Sequence, residues 1–398
     1  MKTFGHFDLH LSTEIVFGKG TEARTGELVQ KYGGTKVLLV YGGGSIKRIG
    51  LYDRVIDSLH QAGISYVELA GVQPNPRRSL CDKGIEIARA NGVDFILAVG
   101  GGSTLDTAKA ICYALCYEGD WWDFYSGKAV PQARVPVGSI HTISAAGSET
   151  STGTVIVDDV DTGAKKGGSG PLARPVFAIM NPELTYTVNA YQTGAGTSDI
   201  FAHTLERYFY PDDCALGDAF AEGLLRTVIK YGPLAIEKPN DYEARAELML
   251  CGSFAHNDIT GIGHTPGRRG GPHALESAIS AFFDTAHGAG LAVVMPAWLR
   301  LVADSGEAGC ARVAQLAVNV FGVSADMADL KLVAYEGIAR FRHWLNALGM
   351  PSTLTQMGLK ESDIQTLVDN GRYDANGQIA GYIYLNRQEL DAFYHSVL

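Results

Sequence analysis

Apolar and polar positions divide this chain into two stretches of different rhythm. In the first, short apolar runs rich in β-branched residues alternate with polar segments of helical length. Residues 36–41 (KVLLVY) form one such run and stop at Gly42-Gly43-Gly44-Ser45. Residues 52–62 then read as a helix, 65–69 as a strand and 79–91 as a helix. Residues 94–99 (DFILAV) repeat the theme, stopping at Gly100-Gly101-Gly102-Ser103 with a helix over 104–115 directly behind. Further strands are expected over 135–140 and 176–180. Strand, glycine turn and helix in repetition predict a parallel sheet with crossover helices. Ligands of such sheets bind at the carboxyl ends of the strands, where both glycine turns fall.

From about Tyr191 onward the strand signals thin and helical patterns take over. They cover residues 218–231, 242–257, 273–280, 290–303, 311–320 and 334–348. The change of rhythm predicts an α/β unit over residues 1–186 and an all-helical unit over 187–398. No internal repeat or low-complexity segment interrupts either.

Composition narrows the class of protein. The 398 residues are 46% hydrophobic and 19% charged, the balance of a globular enzyme with a sizeable core. A net charge of -10 argues against nucleic acid or an anionic membrane as the main partner. No apolar run reaches the length of a membrane span, and the first residues lack the basic and apolar regions of a secretion signal. The six cysteines are scattered, with no C-x-x-C pair, so reduced thiols and a cytoplasmic location are expected.

Several small-residue loops could serve a nucleotide. Glycines let backbone N–H groups approach phosphate oxygens, and the helix that follows presents its positive end. Neither turn is G-x-G-x-x-G or a P-loop, so each alone is also compatible with an ordinary strand-to-helix turn. The loop HTISAAGSET offers Thr142, Ser144 and Ser148 as donors, and Lys165 and Lys166 lie on a glycine-rich, hairpin-like stretch. A solvated loop is the plainer reading of both.

The stretch GAGTSDIFAHTLE puts Asp199 and His203 four residues apart, on one face if helical. Downstream stand His273 and His287, separated by an apolar, small-residue run. One carboxylate and three imidazoles would suit Fe(II) or Zn(II). On spacing alone, a solvated Asp–His helix pair is the plainer reading of the first two, since D-x-x-x-H arises by chance.

Taken together, LSTEIVFGKG, YGGGSIKRIGLYDRV, Pro74-Asn75-Pro76, GGGSTLDTAK, PVFAIMNPELT, GAGTSDIFAHTLE and HGAGLAVVMPAW span essentially the whole chain. With these motifs the chain resembles the iron-containing (group III) alcohol dehydrogenases, in particular their butanol dehydrogenase and broad aldehyde reductase branch. The resemblance implies a Rossmann-like, dehydroquinate-synthase-like nucleotide domain followed by a helical metal-binding domain. It implies Asp199, His203, His273 and His287 as ligands of one divalent metal, through which they would be catalytic. It also implies cofactor contacts at Gly43, Gly44, Ser45, Asn75, Gly101, Gly102, Ser103, Asp106, Thr142, Lys165 and Thr185. The expected reaction is hydride transfer between nicotinamide C4 and a metal-polarised aldehyde or primary alcohol, in a homodimer. Relatives that prefer NAD tend to carry an acidic residue in the first glycine turn; this turn has none and is followed by Lys47 and Arg48, so NADP(H) is expected over NAD(H).

The chain departs from the family pattern at two places. Ser277 stands where many relatives have a histidine four residues after the third ligand, and serine cannot titrate near neutral pH. The loop before that ligand carries Arg268 and Arg269, either solvated or suited to an anionic aldehyde. A dehydroquinate-synthase-like lyase and a silent nucleotide-binding relative are the alternatives.

Overall fold

The computed structural model describes residues 4–210, 212–265, 271–325 and 329–398. Arg268 and Arg269 lie outside that set. The chain forms two compact units, His10–Thr187 and Val188–Leu398, the second also taking the residues up to Leu9.

The α/β unit holds β1 (Glu14–Phe17), α1 (Thr25–Lys31), β2 (Lys36–Tyr41), α2 (Ser45–Arg48), α3 (Leu51–Gln61), β3 (Ser65–Leu69), α4 (Arg78–Asn91), β4 (Phe95–Gly100) and α5 (Gly102–Ala114). It continues with α6 (Asp123–Ser126), β5 (Val137–His141), β6 (Gly153–Val157), β7 (Lys165–Ser169) and β8 (Phe177–Met180). Six strands make one parallel sheet in the order β1-β8-β5-β4-β2-β3, while β6 and β7 form an antiparallel hairpin. The strands read as continuous apolar runs because both sheet faces are covered. Val37 and Leu39 of β2 pack with Leu28, Leu51, Val55 and Leu59 of α1 and α3. Their neighbours Leu38 and Val40 point the other way, packing with Ile85 and Ala88 of α4 and Ile111 of α5.

After β2 the chain moves outward to β3, then returns to place β4 on the other flank of β2. The sheet therefore reverses its winding between β2 and β4, the point where such sheets bind ligands. Both glycine turns open there.

The helical unit contains α7 (Ala190–Tyr208), α8 (Ala215–Glu237), α9 (Tyr242–His256), α10 (Pro272–Phe283), α11 (His287–Asp304), α12 (Glu307–Asn319), α13 (Leu330–Ala347), α14 (Ile364–Asp369) and α15 (Arg387–Ser396). Helix α8 runs past the end its sequence suggests, with Pro233 inside it. Proline leaves the carbonyl four residues earlier without its helical donor. That carbonyl belongs to Ile229, and the Trp344 indole Nε1–H donates to it at 3.2 Å. The helix survives its proline because another helix supplies the missing donor.

Glycines set how closely these helices approach. A Cβ on Gly288 would lie 1.8 Å from the Ala195 carbonyl oxygen, and one on Gly194 would lie 2.4 Å from that of Leu348. Helices α7 and α11 therefore meet backbone to backbone.

Candidate functional site

Asp199 and His203 share one face of α7, His273 opens α10 and His287 opens α11. The close helix crossing brings Asp199, His203 and His273 together, with His287 at the edge of the group. Asp199 Oδ1 lies 3.4 Å from Nε2 of His203, 3.4 Å from Nε2 of His273 and 4.0 Å from Nε2 of His287. Asp199 and His203 are buried, and His273 and His287 are partly so. Ligand atoms of Asp199, His203 and His273 all fall within 4.8 Å of one another, close enough to share a metal ion.

The donor chemistry fits Fe(II) or Zn(II). It comprises one carboxylate oxygen and two imidazole nitrogens, with His287 Nε2 4.0 Å from that carboxylate. Nε2 of His273 is buried and makes no well-formed hydrogen bond among the described residues. Burial pushes the His203 imidazole well below its ordinary value, aided by His256, His273 and Arg207, so its nitrogen keeps a lone pair. Burial also opposes charge on His273, but the carboxylates of Glu206 and Asp199 hold it up at about 10. The negative potential that favours a proton there equally favours a divalent cation.

Three neighbours were not singled out from the sequence. His256, at the end of α9, stacks on His203 with ring centroids 3.9 Å apart. Glu206 Oε1 lies 3.1 Å from Nδ1 of His273, and Glu276 contacts Nδ1 of His287. Both glutamates follow a cluster histidine by three residues, but each contacts the histidine of a different helix, which spacing does not show. Ser277 is buried one turn into α10.

In the α/β unit the expected cofactor residues gather at the carboxyl ends of neighbouring strands. Gly43, Gly44 and Ser45 follow β2, Gly101, Gly102 and Ser103 follow β4, and Thr142 follows β5. Gly44 adopts φ 101°, a conformation that favours glycine, while a Cβ on Gly43 would meet nothing within 4 Å. A Cβ on Gly101 would lie 2.5 Å from Ile143 Cγ2, so glycine lets the loop after β5 close onto this turn. Lys165 Nζ donates to Asn75 Oδ1 at 3.1 Å, joining two candidates that are distant in sequence. The Asp106 carboxylate accepts from Ser148 Oγ at 2.7 Å and from the Val155 amide at 2.9 Å. Thr185 is buried and donates its hydroxyl to the Pro182 carbonyl at 2.7 Å. These last two brace the loops of the cofactor face.

Comparison with known proteins agrees with this architecture. The family model for iron-containing alcohol dehydrogenase matches residues 12–182, and that for the C-terminal part of the Fe-containing alcohol dehydrogenase family matches residues 193–398. The chain belongs to the iron-containing alcohol dehydrogenase family. It is 40% identical to NADH-dependent butanol dehydrogenase B of Clostridium acetobutylicum, covering 98% of this chain and 99% of that one. It is 35% identical to NADPH-dependent aldehyde reductase YqhD of Escherichia coli, covering 91% and 92%. The solved NADH-dependent butanol dehydrogenase A of Thermotoga maritima superposes with a TM-score of 0.93, at 36% identity and complete coverage of both chains. The lyase alternative is not favoured.

Proposed function

We propose that this protein is a metal-dependent, NAD(P)H-linked oxidoreductase that interconverts aldehydes and primary alcohols. One observation carries the reading: ligand atoms of Asp199, His203 and His273 gather within 4.8 Å of one another, and His287 Nε2 stands 4.0 Å from the same Asp199 oxygen. Butanol dehydrogenases and an aldehyde reductase among the relatives support the same class.

Asp199, His203, His273 and His287 would hold the divalent ion. When bound, that ion supplies Lewis-acid polarisation of a carbonyl oxygen and stabilises the charge that develops on it. Gly101, Gly102 and Ser103 would receive the cofactor pyrophosphate at the positive end of α5. Gly43, Gly44 and Ser45 would face the adenosine side, with Asn75, Thr142 and Lys165 as further contacts. Asp106 and Thr185 would act there by holding the surrounding loops. Ser277 could pass a proton along water without titrating itself near neutral pH.

Elemental analysis of anaerobically purified protein, with aldehyde-dependent NADPH oxidation, tests this reading. We expect one Fe or Zn per chain and turnover of butanal. Asp199→Ala should lose both metal and activity; full activity in a metal-free preparation would sink the assignment.

The finer reading is NADPH over NADH. Nothing acidic stands in the first glycine turn, and Lys47 lies beside it. Glu68 accepts the Tyr52 hydroxyl at 2.6 Å and that of Tyr41, and Lys47 Nζ lies 3.8 Å from it. Its carboxylate is thus already engaged. Because a side chain at Gly43 would point into open space, Gly43→Asp should fold normally and shift kcat/KM towards NADH. An unchanged ratio for the two cofactors would retire the idea. A homodimer located in the cytoplasm completes the proposal. The exposed Phe4, Phe7, Leu9 and Leu11 leading into edge strand β1 support self-association, and light scattering would check it.

A further inference from the structure

The metal reading uses the inward face of the four-residue cluster and leaves two carboxylates behind it without a task. Glu206 and Glu276 stand three residues after His203 and His273 on the same helices. Each nonetheless reaches the histidine of the next ligand-bearing helix. Glu206 Oε1, on α7, accepts the backbone N–H of His273 at 2.7 Å and lies 3.1 Å from its Nδ1. Glu276 Oε2, on α10, contacts Nδ1 of His287 on α11 and accepts the Ser280 hydroxyl at 3.1 Å.

Glu276 is fully buried, and its Oε1 has no hydrogen-bond partner among the described residues. A buried carboxylate is costly unless its surroundings make use of the charge. The fold makes deliberate room for it. A Cβ on Gly290 would lie 2.7 Å from both Cγ and Oε1 of Glu276, so a side chain at that place on α11 would displace the carboxylate from where it lies.

We infer that Glu206 and Glu276 are positioning residues for the metal centre. With their carboxylates set against Nδ1 of His273 and His287 they favour a proton on that nitrogen and fix ring orientation, so that both rings present an Nε2 lone pair inward. The contacts run from α7 to α10 and from α10 to α11, keeping the ligand-bearing helices in register. The inference rests on the metal reading of the cluster.

Co2+ alone, added to apoprotein and followed by visible absorption and chelator competition, tests it. Wild type should bind one Co2+ per chain. Glu206→Ala and Glu276→Ala should each bind about 10–100-fold more weakly, with altered absorption bands. Glu276→Gln keeps an oxygen acceptor of the same length and should recover most of the affinity. Circular dichroism and the Tm of the apoproteins establish folding, and Glu206→Ala carries the test should Glu276→Ala fail to fold. Alanine variants that match wild type in both affinity and spectrum overturn the inference while leaving the metal reading intact. A wild type that binds no Co2+ removes both.

Discussion

Single atoms decide whether this centre can assemble. With an Ala195 carbonyl 1.8 Å from where a Gly288 Cβ would sit, a methyl group there must push α7 and α11 apart. Gly288→Ala should therefore cost about 1–3 kcal/mol by overpacking and weaken metal binding at the same time. Urea unfolding and metal titration would measure the two effects; a stable variant with normal affinity would contradict the close-contact account. At this scale the sequence was only partly legible. The i, i+4 spacing put Asp199 and His203 on one face, but the bland reading remained open until the later histidines joined them. Glu206, Glu276 and His256 went unread because spacing shows which residues share a helix face, not which helix that face meets.

The recurring elements were the most readable. Runs apolar on both faces became β2 and β4 because helices cover the sheet on either side, and the glycine turns fell at the strand ends. What stayed hidden was the bracing between elements. Lys109 of α5 is buried, and its ammonium donates to Ser148 Oγ at 2.8 Å, the Gly153 carbonyl at 2.9 Å and the Ser151 carbonyl at 3.2 Å. With Asp106 it ties the loop after β5 and the hairpin to one helix. Burial brings this lysine down to about 8 from an ordinary 10.5, although Asp106 and Glu149 oppose the fall. Between those values the unfolded chain holds a proton that the folded chain has released. Stability of the wild type relative to Lys109→Met should therefore rise as pH increases from about 8 to 10.5 and stay level below that window. Denaturant midpoints of both proteins across the range would show it; a difference that narrows with rising pH would count against it.

For the whole molecule, ligand binding and stability are linked. A metal that binds only the folded helical unit stabilises it by about 2.7 kcal/mol when present at 100 times its dissociation constant. Calorimetry should therefore show Tm rising with added Zn2+ in the wild type and holding still in Asp199→Ala. Equal rises in both would mean that the ion binds elsewhere. The N-terminal segment adds a constraint in time. The Gly5 amide donates to the Gly263 carbonyl at 2.8 Å, and a Cβ on Gly5 would lie 2.3 Å from the Thr265 amide nitrogen. The residues up to Leu9 thus belong to a unit whose remainder begins at Val188. A ribosome releases that segment more than 250 residues before its docking partner. Until then the Gly5 amide has no Gly263 carbonyl to donate to, and the α/β unit can complete itself while the helical unit is still being made.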